Sequence, residues 1–269
     1  MVEAATHARA TVAVIIPARY ASTRFPGKPL ARLGGQPMIQ QVYERVRQAR
    51  GVSRVVVATD DMRIRDCVTG FGGEAIVTGN DLRSGSDRVA AVAREIQADV
   101  YVNLQGDEIP LDPGLLEDLI LPFVKSDVAV GTLKQAITEE HDLLDPNVVK
   151  VVTDSNGDAL YFSRSPVPYL RDRHAGDNAL VPGLHWKHLG IYIYRAAALA
   201  GFAKLPSGTL EVTEQLEQLR LLEAGIRIRV WETKHASLRV DTPADLERAE
   251  QMLTREGARL GALGEGGCK

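Results

Sequence analysis

One stretch constrains this chain more than any other: Ile15-Ile16-Pro17-Ala18-Arg19-Tyr20-Ala21-Ser22-Thr23-Arg24-Phe25-Pro26-Gly27-Lys28-Pro29-Leu30. Ahead of it, Val12-Ala13-Val14-Ile15-Ile16 is short, apolar and rich in β-branched residues, which predicts a buried strand that stops at Pro17. Pro26, Gly27 and Pro29 then rule out a helix interior. A long loop therefore leaves the carboxyl end of the first strand. It carries the fixed cations Arg19, Arg24 and Lys28 beside small residues that let backbone N–H groups approach a ligand. Charge neutralisation plus many donors is what a triphosphate requires. A solvated basic loop is the plain alternative. The position after the first strand favours a ligand, because open α/β sheets bind there. Neither a Walker P-loop nor Gly-x-Gly-x-x-Gly occurs, so ATPase and dinucleotide readings are weak.

Strand and helix patterns alternate beyond the loop. Helical spacing of Met38, Ile39, Val42 and Val46 predicts a helix over Pro37–Ala49. Arg54–Thr59 reads as a second buried strand, Met62–Phe71 as a helix stopped by Gly72-Gly73, and Glu74–Val77 as a third strand. Asp87–Ile96 is helical, Val100–Leu104 a strand, Pro113–Lys125 a helix and Asp127–Leu133 a strand. The alternation predicts an α/β fold: a Rossmann-like, mostly parallel mixed sheet with right-handed crossovers. Val148–Thr153 and Ala159–Phe162 flank Asn156-Gly157, a hairpin signal and a departure from βαβ winding. We read one domain over 12–250 with an antiparallel insertion at about 146–194, and flexible tails at 1–11 and 257–269. Arg171–Gly183 reads as a polar, mobile loop. Lys187–Tyr194 is a strand on which His188, Gly190, Tyr192 and Tyr194 share a face. Leu210–Ala224 reads as one helix, Arg227–Glu232 as a late strand, and Leu238–Leu246 as a short strand running into a helix.

Several positions carry candidate chemistry. Ser84-Gly85 precedes a helix and offers hydroxyl and N–H donors to a base or phosphate, or is a plain N-cap. Gln105-Gly106-Asp107-Glu108 follows a strand directly, where Asp107 is a candidate Mg²⁺ ligand. Taken alone, Asp107 could be an N-cap or a solvated loop residue; the cationic loop nearby in topology favours the metal. Asp241 ends the late strand before Thr242 as N-cap and Pro243 at the first helical position, so it is either a second metal carboxylate or turn punctuation. Glu211, Glu214 and Glu217 are spaced by three and default to a solvated acidic face.

Composition excludes other classes. The 269 residues are 45% hydrophobic and 25% charged with a net charge of -3, ordinary for a globular protein and without the basic bias of a nucleic-acid binder. Two cysteines, Cys67 and Cys268, are too few for a disulfide scaffold or a Cys-rich metal site. Neither a signal sequence nor a run of 18 apolar residues is evident, so a cytoplasmic protein is expected.

Taken together, the motifs resemble the bacterial 3-deoxy-manno-octulosonate (KDO) cytidylyltransferases. The resemblance rests on Ile16–Leu30, Ala58–Asp60, Ser84–Arg88, Val102–Glu108, Tyr161–Arg164, His188–Tyr192, Leu216–Arg220 and Val240–Pro243, in order over residues 12 to 250. It implies that CTP and KDO are converted to CMP-KDO and pyrophosphate with Mg²⁺, in lipopolysaccharide biosynthesis, by a cytoplasmic homodimer. It implies that Ala18, Arg19, Arg24, Lys28, Ser84, Gly85 and Gln105 contact the nucleotide. The resemblance likewise implies that Asp107 and Asp241 would bind the metal, that Gln105, Arg164, His188, Tyr192, Glu217 and Gln218 would line the sugar-acid pocket, and that Arg19, Lys28, Asp107 and Asp241 would carry the chemistry. One departure stands beside the metal: Ile109-Pro110 follows Asp107-Glu108 where the family usually has Pro directly. Competing readings are a nucleotidyltransferase for another acid (8-amino-KDO, a sialic acid or a phosphonate) and a nucleotide-binding homologue without turnover.

Overall fold

The computed structural model describes residues 10–21, 25–80, 82, 85–172, 180–181 and 183–252. Arg24, Ser84, Cys268, the proposed C-terminal tail and most of the polar loop after Arg171 lie outside them. The first strand, β1 (Val12–Ala18), is buried along its whole length and sits between two parallel neighbours. A strand buried on both faces needs apolar residues at every position, as this one has. Val12, Val14, Ile16 and Ala18 enter one core layer, and Ala13 and Ile15 the other. The strand does not stop at Pro17, as expected from sequence. It continues to Ala18, pairing Pro17 with Ala58 and Ala18 with Thr59. Pro17 lies past Ile15–Asn103, the last pair on the other side, so no ladder donor is lost there.

After the loop come a short hairpin, β2 (Arg32–Leu33) and β3 (Gln36–Pro37), and helix α1 (Met38–Gln48). Next are β4 (Arg54–Thr59), α2 (Met62–Gly70), β5 (Ala75–Val77), α3 (Gly85–Val92), β6 (Val100–Asn103), β7 (Glu108–Pro110), α4 (Gly114–Val124) and β8 (Val130–Ala136). Then follow α5 (Glu140–Leu144), β9 (Lys150–Thr153), β10 (Ala159–Ser163), β11 (Trp186–Arg195), α6 (Ala196–Phe202), α7 (Thr209–Glu214), α8 (Leu219–Glu223), β12 (Arg229–Glu232), β13 (Ser237–Arg239) and α9 (243–252). The described residues form a nine-stranded mixed sheet in which β6, β1, β4 and β5 run parallel and β11 antiparallel to β6. Helices α1, α2 and α4 pack on one face, and α3, α6 and α8 on the other. Each fully buried Val or Ile in these layers contributes about 1.5–3 kcal/mol.

β11 explains where the insertion goes. One of its edges pairs with β8 throughout; its other edge pairs with β6 from Tyr192 to Arg195 and with β9 at Lys187. Because β11 runs opposite to β6, Lys187 lies beyond the carboxyl end of β6. The antiparallel β9–β10 hairpin, which forms as the Asn-Gly signal requires, therefore stands over that end. The expected helix over Leu210–Ala224 is instead two, α7 and α8, broken at Gln215 with φ 52. Arg164 accounts for the break: its Nε donates to Glu214 O at 2.7 Å and its Nη2 to Gln215 O at 3.4 Å, satisfying carbonyls that a continuous helix would have used. No helix among the described residues is long and apolar enough to cross a membrane.

Candidate active site

The site gathers at the carboxyl ends of β1 and β6. Gly27 N–H donates to Tyr20 O at 2.9 Å and closes the cationic loop on itself. Gly27 holds φ +71, and a Cβ there would meet the Tyr20 ring at 3.2 Å, so glycine is the residue that fits. Arg63 stacks over the other side of this anchor, 3.4 Å from the Tyr20 ring centroid. The turn that follows, Lys28–Leu30, is 3-10 and delivers Lys28 inward.

Two carboxylates distant in sequence meet Lys28. Its Nζ lies 2.8 Å from Asp107 Oδ2, 2.8 Å from Val240 O and 3.4 Å from Asp241 Oδ1. A two-stranded ribbon brings them together: β7 pairs antiparallel with β13, Glu108 opposite Arg239, and Val240 N–H donates to Asp107 O at 3.0 Å. The segment after Asp107 is thus a strand, and Ile109 is buried in the core at the position where the sequence departs from the family. Asp241 is further held by Arg239 Nε at 3.1 Å. Behind it, Thr242 and Asp245 cap α9 reciprocally: Asp245 N–H donates to Thr242 Oγ1 at 3.2 Å and Thr242 N–H to Asp245 Oδ2 at 2.8 Å. Glu108 is buried beside them, takes a hydrogen bond from Ser237 Oγ, and burial raises its pKa.

The loop's other described cation, Arg19, donates from Nη2 to Leu82 O at 2.5 Å and ties the loop to the segment entering α3. Ala18 is buried at the end of β1. Gln105 lies against Gly85, where a Cβ would come within 2.9 Å of its amide. Its Nε2 donates to Asn103 Oδ1 at 3.0 Å, Asn103 Nδ2 to Ser86 Oγ at 3.3 Å, and Ser86 Oγ to Glu217 Oε2 at 2.6 Å.

A row of aromatic rings borders this chain: Phe162, His188, Tyr192, Tyr194 and Phe202, with successive centroids 4.9, 5.3, 6.1 and 6.1 Å apart. The shared face expected for His188, Tyr192 and Tyr194 is present. Thr132 Oγ1 donates to Ile191 O at 2.8 Å, so the contact of 3.0 Å to His188 has Nε2 as donor, which leaves Nδ1 the acceptor nitrogen. The ring keeps some accessible surface but is hemmed in by Phe162 and Tyr192, and burial drives its pKa down to about 3. Burial, with Tyr194 and Glu217 nearby, raises the Tyr192 phenol well above its usual range. Tyr192 Oη and Gln218 Nε2 are buried without a hydrogen-bond partner among the described residues.

The solvated acidic face expected for Glu211, Glu214 and Glu217 is not found. Glu211 pairs with Arg220, whose Nε is 2.7 Å away. Glu214 accepts from Ser163 Oγ at 2.8 Å and Arg164 N at 2.9 Å, and Glu217 accepts from Ser86. The break at Gln215 turns these side chains inward, which a helical wheel could not foresee. Arg164 also donates from Nη1 to Pro146 O at 2.8 Å. The residue reading also missed Ser86, Asn103 and Thr132 as members of the site. An Asn ending a buried strand was the available signal.

Comparison with known proteins defines the class as a nucleotidyltransferase. A family model described as Cytidylyltransferase matches residues 13–228. The 3-deoxy-manno-octulosonate cytidylyltransferase of Geobacter sulfurreducens is 53% identical over 90% of this chain and 99% of its own length. That of Trichlorobacter lovleyi is 53% identical over 90% and 98%. A solved CMP:2-keto-3-deoxy-manno-octonic acid synthetase complexed with CTP superposes with TM-score 0.85 at 45% identity, covering 91% of this chain and 99% of that one. The inositol-1-phosphate CTP transferase of T. maritima, TM-score 0.61 at 15% identity over 88% and 91%, shares the fold. The chain belongs to the 3-deoxy-manno-octulosonate cytidylyltransferase family.

Proposed function

We propose that this chain activates KDO with CTP, giving CMP-KDO and pyrophosphate. The observation that carries the proposal is the meeting of Lys28, Asp107 and Asp241 at the carboxyl ends of β1 and β6. In the reaction, the anomeric hydroxyl oxygen of the acid forms a bond to the α-phosphorus of CTP. The bond from that phosphorus to the bridging oxygen of pyrophosphate breaks, and the hydroxyl proton is lost. No covalent bond to the protein is needed, so position and charge supply the rate.

Arg19, Arg24 and Lys28 hold the triphosphate, with Ala18, Ser84, Gly85 and Gln105 against the nucleotide. Gln105, Arg164, His188, Tyr192, Glu217 and Gln218 form the acid pocket. Arg164 can engage the acid's carboxylate by exchanging its longest carbonyl contact, the 3.4 Å bond to Gln215 O. Asp107 and Asp241 are the carboxylates that would hold Mg²⁺, an ion usually bound by one or two protein carboxylates together with substrate phosphates. When bound, the ion supplies Lewis-acid polarisation of the phosphate and neutralises the leaving pyrophosphate. We further propose that the reaction runs in the cytoplasm, where CTP is made, feeds lipopolysaccharide biosynthesis, and is carried out by a homodimer.

Pyrophosphate release with CTP, Mg²⁺ and a panel of acids tests the reading. KDO should give the highest kcat/KM in the panel. Turnover with a sialic acid or a phosphonate but not KDO would replace the acceptor, and no turnover with any acid would replace the function.

A further inference from the structure

The three hydrogen bonds joining Gln105, Asn103, Ser86 and Glu217 all run in one direction. An ionised carboxylate only accepts. Glu217 therefore takes the single proton of Ser86, whose Oγ lies 2.6 Å away. Ser86 Oγ, its proton spent, is an acceptor for Asn103 Nδ2 at 3.3 Å. That turns Asn103 Oδ1 toward Gln105, which must answer with N–H at 3.0 Å. The Gln105 carbonyl oxygen then has no hydrogen-bond partner among the described residues and lies beside Gly85, where the absence of a side chain lets the amide approach. Asn103 and Ser86 are buried, with relative exposures of 1% and 6%, so water does not compete for these bonds. The elements themselves are fixed: Asn103 ends β6, paired to Ile15 on one side and Tyr192 on the other, and Ser86 sits in the first turn of α3.

We infer that Ser86 and Asn103 are positioning residues. They form a relay by which Glu217 sets the orientation of the Gln105 amide, so that its carbonyl oxygen is the group offered to the ligand. The relay also joins the nucleotide side of the site, Gly85 and Gln105, to the acid side, Glu217. This rests on the proposal above that Gln105 and Glu217 face the two substrates. Neither residue needs to touch a substrate for the relay to act. The charge lies at one end only, so neutralising Glu217 removes the directionality while leaving every atom in place.

Two measurements test it. The first does not depend on turnover: the Gln105 side-chain amide proton resonances, assigned by their loss in Gln105→Leu. Ser86→Ala and Glu217→Gln should both shift this pair, and Ser86→Thr, which keeps the hydroxyl, should restore it toward wild type. An unmoved pair in both variants would overturn the relay. The second is a double-mutant cycle on kcat/KM in pyrophosphate release. Ser86→Ala should lower kcat/KM about tenfold in the wild-type background, the loss of one hydrogen bond to a charged group. It should have little further effect in Gln105→Leu. Full additivity of the two losses would also overturn the relay, since a merely structural Ser86 would act regardless of Gln105. If wild type fails to turn over KDO, the functional reading falls, and the resonance experiment still decides the relay.

Discussion

Lys28 is the residue on which both charge and geometry converge. Its ammonium already pairs with both Asp107 and Asp241, so a divalent ion must compete with it. Lys28→Met is therefore expected to bind Mn²⁺ more tightly without nucleotide, several-fold by paramagnetic relaxation, while turnover falls by at least about 100-fold. Unchanged Mn²⁺ affinity would mean that Lys28 does not hold the cation position. Asp107→Asn should nearly abolish turnover and leave the cooperative unfolding transition close to wild type, because Asp107 is partly exposed and its backbone makes the ribbon bond. Near-normal activity would remove the metal role. His188 makes a different prediction. Its pKa is lowered to about 3 in the fold against about 6.5 for a free imidazole. Below 6.5 the unfolded chain takes up a proton that the fold refuses. The stability from neutral His188 is thus fully present above about pH 6.5 and is lost as pH falls toward 3, by at most about 1.4 kcal/mol per unit. Denaturant titrations at pH 7 and pH 5 should show a smaller difference in His188→Gln than in wild type. An equal difference would mean that the ring titrates normally.

At the scale of elements, the local patterns were the legible part. β1, β4, β6 and α1 formed where periodicity put them, because a doubly buried strand and an amphipathic helix each announce themselves within a few residues. The Asn-Gly hairpin did so as well. The α7–α8 break was not legible, since its cause, Arg164, directly follows β10, remote in sequence and adjacent only in the fold. For the same reason Glu214 and Glu217 read as surface residues. The short strand at Leu238 was read, but β7 and its pairing with β13 were hidden, because three residues are too few for a period to show. The break carries its own prediction. Gln215 is exposed and holds φ 52, a conformation that costs a residue with a Cβ about 1 kcal/mol. Gln215→Gly should therefore raise the urea midpoint slightly or leave it unchanged, whereas a Gly in a helix interior would lower stability by about 1 kcal/mol. A clear loss of stability would show that the two helices are continuous in solution.

Across the whole molecule, the catalytic edge of the sheet and one free edge are separate. The site lies where β1 and β6 end, and the β9–β10 hairpin carries the sheet past it; among the described residues β9 is the ladder partner of β10, and Ala159 N–H at its start donates to Ile228 O at 2.8 Å. An edge strand with unpaired backbone groups is a liability unless it is covered. Leu160 on this strand is 63% exposed, and Val212 on α7 is 67% exposed. Leu160 is the exposed apolar side chain that a partner on this edge would cover. The proposed homodimer supplies such a cover with a second copy. The strand also leads directly into Ser163 and Arg164, whose bonds to Glu214 and Gln215 set the break beside the acid pocket. A dimer built on this edge would therefore steady the pocket as well as hide the leucine. Leu160→Lys should shift sedimentation velocity from dimer toward monomer and raise the KM for the acid more than that for CTP. A dimer that survives this substitution at micromolar concentration would put the interface on another face, and a wild-type monomer would remove the dimer altogether.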